Sequence, residues 1–334
     1  MKIEYKTGWL PAPPDARDFP LQAIAQPLKA IPEKVSLAPY VPRIDNQLSK
    51  PWCVAFGVCN AVEFAMRMRG ITVPEGGFSK AYLYARCKQL DGIAGDGTHI
   101  RIALDVALKE GLCPDSLCPT SKYLQESALP VLTTAMKTEA AKYKINAYAR
   151  IQDAKGYADN EQIKQAIANK QFVVIGSLVE QDNWLDGDDL ILEPKGPVLG
   201  GHCTYLDGYD NAMIASGYTG FDGGINSWGT SWGDNGKYRM AYNYINWRDL
   251  DMGMPALQEA WTFTVDGAVI DSSCKDGYMW IGKNYAVLDG AQVSLDAAPM
   301  IVSSRTLAPL RFIFENAGYT VEWNQGRQEV HFYK

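Results

Sequence analysis

Three residues of this sequence have side chains that could combine in nucleophilic chemistry: Cys53, His202 and Asn226. Cys53 follows Pro51 at the predicted start of an apolar helix, where free backbone amides and the helix dipole favour an anion. A thiol in that position is predicted to have a lowered pKa and to be a better nucleophile at neutral pH. The alternative is an inert core cysteine, an interpretation that suits Cys59 better.

A thiolate that attacks a carbonyl needs a partner to carry protons, and His202 is the candidate for that role. It follows two glycines at the start of a predicted strand, 149 residues after Cys53. Asn226 could accept a hydrogen bond from one imidazole nitrogen, so that the other nitrogen faces the sulfur, and Trp228 could shield that bond from water. Each part alone has a structural alternative, a satisfied core histidine or an aromatic-rich hairpin. Together they favour catalysis.

The elements that must position these residues follow from the spacing of apolar residues. Helical spacing, together with capping residues and glycine stops, predicts four helices before residue 170. They cover about 54–66, the residues after Ser79, 98–111 and 161–169, the last capped by Asp159 or Asn160. Segments rich in β-branched and aromatic residues predict strands at 172–179, 203–208, 236–242 and 259–265. Helices first and strands second favour an α+β protein of two lobes with a ligand cleft between them.

Three blocks of the sequence resemble the papain-like cysteine peptidases, and the resemblance covers roughly residues 31 to 265. The first block is Asn46-Gln47-Leu48-Ser49-Lys50-Pro51-Trp52-Cys53-Val54-Ala55-Phe56, where that family carries its nucleophile. The second contains Gly201-His202 and continues to Asp210. The third, Asn226 through Gly236, matches the family's asparagine block almost letter for letter. The resemblance implies a papain-like two-lobe α+β fold, with a helical lobe and a β-barrel-like lobe.

The resemblance also implies a role for each of four residues. Cys53 would be the nucleophile, His202 the base and then the acid, and Asn226 the residue that orients the histidine. Gln47 would donate to the developing oxyanion together with the backbone amide of Cys53. The sequence departs from the family at Lys50, where a cysteine is usual, so the disulfide of that cysteine cannot form.

The resemblance further implies residues that bind the substrate. They are Gly95, Asp96, Gly97, Gly201 and Trp228. A glycine-rich wall allows a substrate backbone to approach closely, although the stretch 92–98 can equally be a loop that enters a helix.

These roles imply a cysteine endopeptidase that hydrolyses peptide bonds through thiolate attack and an acyl-enzyme. A Cys-dependent acyl transferase or peptide ligase is one alternative, because it shares the acyl-enzyme and differs only in the acceptor. A catalytically silent papain-like binding protein is another, and the presence of all four catalytic residue types speaks against it.

The chain is predicted to have four parts. Residues 1–30 form an arm that resembles the leader of bacterial family members and is expected to pack on the lobes and cover part of the cleft. Residues 31–265 are the peptidase domain, and the polar stretch 266–274 is a linker. Residues 275–334 resemble the copper amine oxidase N-terminal-like module, a small α+β unit expected to bind a cell surface or a protein partner. Its single histidine, His331, and single cysteine, Cys274, predict no copper site.

Composition excludes several other classes of protein. The net charge is −6 and Lys and Arg do not cluster, which argues against nucleic acid as a partner. No run of 18 apolar residues is present, so no membrane span is predicted. We expect a peptide or protein substrate and no cofactor or metal; Cys113 and Cys118 are predicted to form a disulfide or to be free thiols. The lack of an apolar signal segment predicts a cytoplasmic location, whereas the resemblance of the tail implies an exported or surface context.

Overall fold

A computed structural model of the chain describes residues 6–13, 15, 18–25, 28–153, 155–185, 189–247 and 255–265. Further along it describes the segments 277–279, 285–288, 291–295, 300–302, 305–307, 320–324 and 329–333. The chain divides into two compact units, Met1–Gly267 and Ala268–Lys334.

The first half of the first unit is helical. Its helices are α1 (Cys53–Met68), α2 (Lys80–Leu90), α3 (Ile100–Lys109), α4 (Thr120–Gln125) and α5 (Thr134–Ala140), preceded by 3-10 turns at Leu21–Ala23 and Ala38–Tyr40. Every residue of α1 from Cys53 to Met66 is buried, so this helix forms the centre of the lobe. The start of α2 is fixed by Ser79, whose side chain accepts a hydrogen bond from the backbone amide of Tyr82.

One eight-stranded sheet dominates the second half of this unit. Its strands are β1 (Lys34–Ser36), β2 (Ala147–Arg150), β3 (Val173–Glu180), β4 (Leu190–Ile191), β5 (Val198–Ala215), β6 (Tyr218–Ile225), β7 (Lys237–Ala241) and β8 (Leu257–Thr264). They lie in the order β2-β8-β3-β5-β6-β7-β4, and β1 also pairs with β5. Only β4 and β7 run parallel among these pairs. The two strands at the ends of this order, β2 and β4, do not pair with each other within the described residues. The sheet is therefore open, and the lobe expected to be β-barrel-like is not a closed barrel.

The two faces of the sheet contribute to two different cores. Successive side chains of a strand point to opposite faces, and on β3 Val174 packs with α1 whereas Val173 and Ile175 pack in the other core. That second core includes the remaining helices, α6 (Asn160–Ala168), α7 (Gln181–Trp184) and α8 (Tyr242–Asn246). The unit therefore has two lobes.

All four predicted helices are present in the structure. The cap of α6 is Asp159, whose side chain accepts a hydrogen bond from the amide of Gln162. The four predicted strands are also present, but 203–208 is only the middle of β5, which is 18 residues long. Among the described elements of this unit, sequence reasoning did not predict α4, α5, α7, α8, β1, β2, β4 or β6.

The second unit is described as strands. These are β9 (Gly277–Met279), β10 (Tyr285–Leu288) and β11 (Ala291–Ser294) in one sheet, β12 (Met300–Val302) with β13 (Arg305–Leu307), and β14 (Thr320–Asn324) with β15 (Glu329–Tyr333). The sequence of this unit predicts a helix near 307–317 and a hairpin of 319–323 with 329–333, and the last strand pair confirms the hairpin. The predicted linker 266–274 lies outside the described residues, as do residues 308–317 of the predicted helix, while Leu307 ends β13.

Across the described part of the chain, no helix combines the length and the apolar character needed to cross a membrane.

Candidate active site

Cys53 is the first residue of α1 and is fully buried. Its thiol receives backbone hydrogen bonds from Cys203 and Val54, and also from Gly8 in the N-terminal arm. Burial raises the pKa of Cys53 to about 12, and these hydrogen bonds offset the effect only in part. The prediction of a lowered thiol pKa is therefore wrong for this state. Cys53 does lie at the start of α1, but its burial keeps away the water that would solvate a thiolate.

His202 lies on β5, directly opposite Ser177 on β3. Its Nε2 hydrogen-bonds to Oδ1 of Asn226 at 2.8 Å. Because that carboxamide oxygen can only accept, Nε2 carries the proton and Nδ1 is left as the basic nitrogen. Nδ1 is buried and has no hydrogen-bond partner among the described residues. Burial lowers the pKa of His202 to about 4, against the opposing effect of Asn226.

Aromatic rings enclose the His202 imidazole. Trp228 stacks on it with the ring centroids 4.5 Å apart and the planes at 25°. Trp184, at the end of α7, meets it edge-on at 6.0 Å and 89°. Sequence reasoning identified Trp228 but missed Trp184, which no local motif marks. The two rings restrict rotation of the imidazole and keep water from the bond to Asn226.

Gln47 is fully buried, and its side chain makes three hydrogen bonds. Nε2 donates to the carbonyl oxygens of Lys50 at 2.8 Å and Lys6 at 2.9 Å, and Oε1 accepts from the Ser227 hydroxyl at 2.6 Å. The backbone amide of Gln47 donates to the Ser227 carbonyl at 2.8 Å. The loop of Gln47 is thereby held against the loop that follows Asn226, so the two predicted catalytic segments meet.

The N-terminal arm crosses between the two lobes over these residues. The amides of Gly8 and Trp9 both donate to the carbonyl of Gly201, at 3.1 and 3.0 Å. On the other side, the amide of Thr98 donates to Gly8 and its carbonyl accepts from Leu10, both at 3.0 Å. Trp9 and Thr98 thus form a parallel bridge. The expectation that the arm packs on the lobes and covers the cleft agrees with this arrangement.

Of the five residues predicted to bind substrate, Trp228 stacks on His202 and the other four fall into two groups. Gly97 and Gly201 lie against the arm, where an added Cβ would be 2.7 Å from the Gly8 carbonyl oxygen and 2.5 Å from that of Trp9, respectively. Gly95 and Asp96 are exposed and line a neighbouring cavity of about 590 Å³ with Trp52.

Two other predictions concern residues near this site. A helix that begins near Thr98 predicts His99 in its first turn, but His99 is the residue directly before α3; its Nδ1 hydrogen-bonds with the carbonyl of Leu10 at 3.0 Å, so it also holds the arm. Cys113 and Cys118 are both free thiols, which decides between the two alternatives left open for them.

Comparison with known proteins identifies the class of protein that this fold and site define. The profile of the papain family of cysteine proteases matches residues 32–255, and the chain belongs to that family. It is a cysteine-type peptidase. The profile of the copper amine oxidase N-terminal domain matches residues 261–332. A search among curated proteins finds no match.

Solved structures of cysteine proteases share the fold. Xylellain from Xylella fastidiosa has 24% sequence identity and a TM-score of 0.63, over 78% of this chain and 96% of its own. A procathepsin B from Trypanosoma congolense has 18% identity and a TM-score of 0.61, over 78% and 87%. Bromelain from Ananas comosus, in complex with the inhibitor E64, has 20% identity and a TM-score of 0.54, over 71% and 100%.

Proposed function

We propose that the protein hydrolyses peptide bonds with Cys53 as the nucleophile. Nδ1 of His202 takes the thiol proton, and the thiolate attacks the substrate carbonyl carbon. The oxygen of that carbonyl accepts hydrogen bonds from Gln47 and from the backbone amide of Cys53. His202 then protonates the leaving amine, and the thioester forms. A water that gives its proton to His202 attacks the thioester, which releases the carboxylic acid and restores the thiol.

The observation that carries this proposal is the hydrogen bond between His202 Nε2 and Asn226 Oδ1. It leaves Nδ1, the nitrogen without a described partner, as the proton acceptor. The Lys6 carbonyl supports the role of Gln47, because it occupies the place next to Nε2 that a substrate oxygen would need.

The arm would hold this site in a resting state. It hydrogen-bonds to both Cys53 and Gln47, and both the thiol and the imidazole are neutral beneath it, with pKa values of about 12 and about 4. Water that enters when the arm leaves would bring these two pKa values towards each other and allow the ion pair to form. Removal of residues 1–30 should therefore raise the rate, and an unchanged rate and stability would contradict a resting role.

A peptidyl epoxide inhibitor tests the assignment of the nucleophile. The inhibitor is incubated at neutral pH with the full chain carrying Gly8→Ala, a change whose clash with the Pro51 backbone should displace the arm, and mass spectrometry should find the adduct on Cys53 alone. His202→Ala should abolish the adduct, while His331→Ala, a change in the second unit, should leave it. Equal labelling of Cys59 or Cys203 would overturn the assignment.

The second unit would attach the enzyme to a surface or a protein partner, in line with the family whose profile it matches. The candidate catalytic residues all lie in the first unit. A chain that ends at residue 267 should therefore cleave short peptides as the full chain does but lose cosedimentation with bacterial cell walls. Equal cosedimentation of the two chains would contradict this role.

A further inference from the structure

Another cavity, of about 480 Å³, lies on the sheet, and its described lining contains none of the candidate catalytic residues. Its floor follows a row of cross-strand partners, Ser36 on β1, Gly208 on β5, Gly223 on β6 and Arg239 on β7. Cross-strand partners lie side by side on one face of a sheet. The two central positions carry no side chains, so the cavity reaches the backbone between Ser36 and Arg239.

A β-bulge brings a carboxylate into this cavity. The register between β5 and β6 shifts between Leu206 and Gly208, so Asp207 has no partner on β6. A bulge of this kind can redirect the side chain of the extra residue. A Cβ on Gly223 would lie 3.1 Å from Oδ1 of Asp207 and 3.4 Å from Nη1 of Arg239. The carboxylate and the guanidinium group thus approach the same point above Gly223 from two different strands.

Within the described residues, three charged groups of this cavity form no ion pair. Asp207 is 4% exposed, and burial raises the pKa of its carboxyl, a shift that Arg239 and Lys237 oppose only in part. Both cations line the cavity. Arg239 donates from Nη1 to the carbonyl of Tyr238 at 3.2 Å, which leaves its other N–H groups for a ligand. The charges of Asp207, Arg239 and Lys237 are therefore only weakly compensated.

The charge balance indicates what kind of ligand would fit. Lys34 and Asp210, which also line the cavity, pair with each other at 2.8 Å and compensate their own charges. One carboxylate, Asp207, then faces the two cations Arg239 and Lys237, which leaves an excess of one positive charge. A matching ligand brings one carboxylate for the cations and one hydrogen-bond donor for Asp207, because an unpaired buried acceptor is costly. A phosphate would instead place additional negative charge beside Asp207.

We propose that this cavity binds the carboxyl-terminal residue of a peptide. Its terminal carboxylate accepts hydrogen bonds from Arg239 and Lys237. Its backbone N–H, which is separated from the carboxylate only by the Cα atom, donates to Asp207. The cavity also has apolar walls, formed by Val35, Met213 and Phe221. An apolar terminal side chain packs against them. This binding site is independent of the proposed peptidase activity.

Three matched peptides test the proposal in the full chain with Cys53→Ala, a change that prevents hydrolysis. The probe is acetyl-alanyl-leucine with a free carboxylate, and its affinity is measured by isothermal titration calorimetry. The corresponding carboxamide should bind about tenfold more weakly, because it loses a hydrogen bond between two charged groups. The peptide with an N-methyl group on leucine keeps the carboxylate but lacks the N–H, and it should also bind about tenfold more weakly. Equal affinity of the acid and the carboxamide would overturn the proposal.

Substitutions in the same chain locate the bound peptide. Arg239→Gln and Lys237→Gln should each weaken binding of the acid about tenfold. Lys109→Gln, which changes an exposed cation on α3, should leave it unchanged. Asp207→Asn keeps the shape of the side chain and removes its charge. It should tighten binding of the acid and reduce the effect of the N-methyl group to about threefold, a change in selectivity that a merely structural role would not produce.

Two further results would contradict the assignment. One is a loss of affinity in Lys109→Gln as large as that in Arg239→Gln. The other is tighter binding of inorganic phosphate than of acetyl-alanyl-leucine. If Arg239→Gln fails to fold, the comparison of the three peptides and the Lys237→Gln variant still decide the question.

Discussion

The side-chain amide of Gln47 donates a hydrogen bond to the main-chain carbonyl of Lys6 at 2.9 Å. The arm therefore supplies an oxygen to the same donor that would stabilise a transition state. Beyond Lys6 the arm continues past Cys53 at Gly8, and the indole N–H of Trp9 donates to Glu259 on β8 at 3.4 Å. One short segment thus contacts both the proposed oxyanion donor and the proposed nucleophile.

Gly8→Ala should displace the arm. An added Cβ would overlap the backbone carbonyl group of Pro51 and lie 2.6 Å from its carbon, and a backbone contact cannot rotate away. Overpacking of this kind costs about 1–3 kcal/mol, which predicts an increase in the rate of Cys53 alkylation of about tenfold or more at pH 7.5. Pro11→Ala changes an exposed position of the same arm and serves as the control. If both variants react at the rate of the unmodified chain, the arm does not restrict access to the thiol.

Gln47→Ala should separate oxyanion stabilisation from thiol reactivity. In the Gly8→Ala background, loss of the amide donor should lower kcat for peptide hydrolysis by about 10²–10³. Alkylation of Cys53 by iodoacetamide forms no oxyanion and should change little. A parallel loss of both activities would instead mean that Gln47 acts through the hydrogen bonds that hold its loop to Lys50 and Ser227.

Glu180→Gln should alter the pH dependence of stability. Burial raises the pKa of Glu180 from 4.5 to about 7, where Tyr244 and Asn183 hydrogen-bond to it. A carboxyl whose folded pKa is raised stabilises the protein below its unfolded pKa, and this stabilisation is lost as the pH rises through the folded pKa. Between pH 4.5 and 7.5 the wild type should thus lose up to about 3 kcal/mol relative to Glu180→Gln.

Urea unfolding of both proteins across this pH range gives the comparison. The burial of His202 has the opposite sign, because a lowered pKa of about 4 makes stability fall as the pH drops below 6.5. That contribution is common to both proteins and cancels in their difference. A difference that does not vary with pH would show that Glu180 titrates normally in the folded protein.

Arg43→Met should destabilise the junction between the Gln47 loop and α1. Arg43 forms two hydrogen bonds to Glu63, at 2.7 and 2.6 Å, and the Glu63 side chain is fully buried. Removal of one partner of a buried pair costs about 3–5 kcal/mol when the other charge is left without compensation, and because Arg67 still pairs with Glu63 the loss should lie at or below the lower end of that range. Arg43→Met with Glu63→Gln should recover part of that loss in denaturant unfolding. Arg67→Met removes the more exposed partner of Glu63 and should have a smaller effect.

The helices of this protein were predictable because their signals are local. Ser79 and Asp159 directly precede their helices and each accepts a hydrogen bond from the backbone amide three residues further on, and the apolar spacing of α1 is visible without any tertiary information. The hairpin of β5 and β6 also has a local signal, the pair Ser216-Gly217 between the two strands. Ser216 and Gly217 have φ values of 49° and 84°, as a two-residue hairpin turn of type I′ requires.

The contacts that complete the site have no such signal. Trp9 and Glu259 are 250 residues apart, and Trp184 reaches His202 only because α7 follows β3 in the fold. The raised pKa of Cys53 was equally unpredictable from the sequence around it. It results from the complete burial of the thiol in the folded protein, which the backbone hydrogen bonds from Cys203, Val54 and the distant Gly8 offset only in part.

β1 pairs with β5 from Lys34 to Ser36 and so ties the chain to the sheet just after the arm. An arm that leaves the cleft is therefore not diluted into the solvent but stays near the cleft at an effective concentration on the order of millimolar. Opening is thus an internal equilibrium that does not depend on how much protein is present. A single break in the backbone between the cleft and β1 would convert this opening into the dissociation of a separate peptide. Dilution would then shift the equilibrium towards the open enzyme.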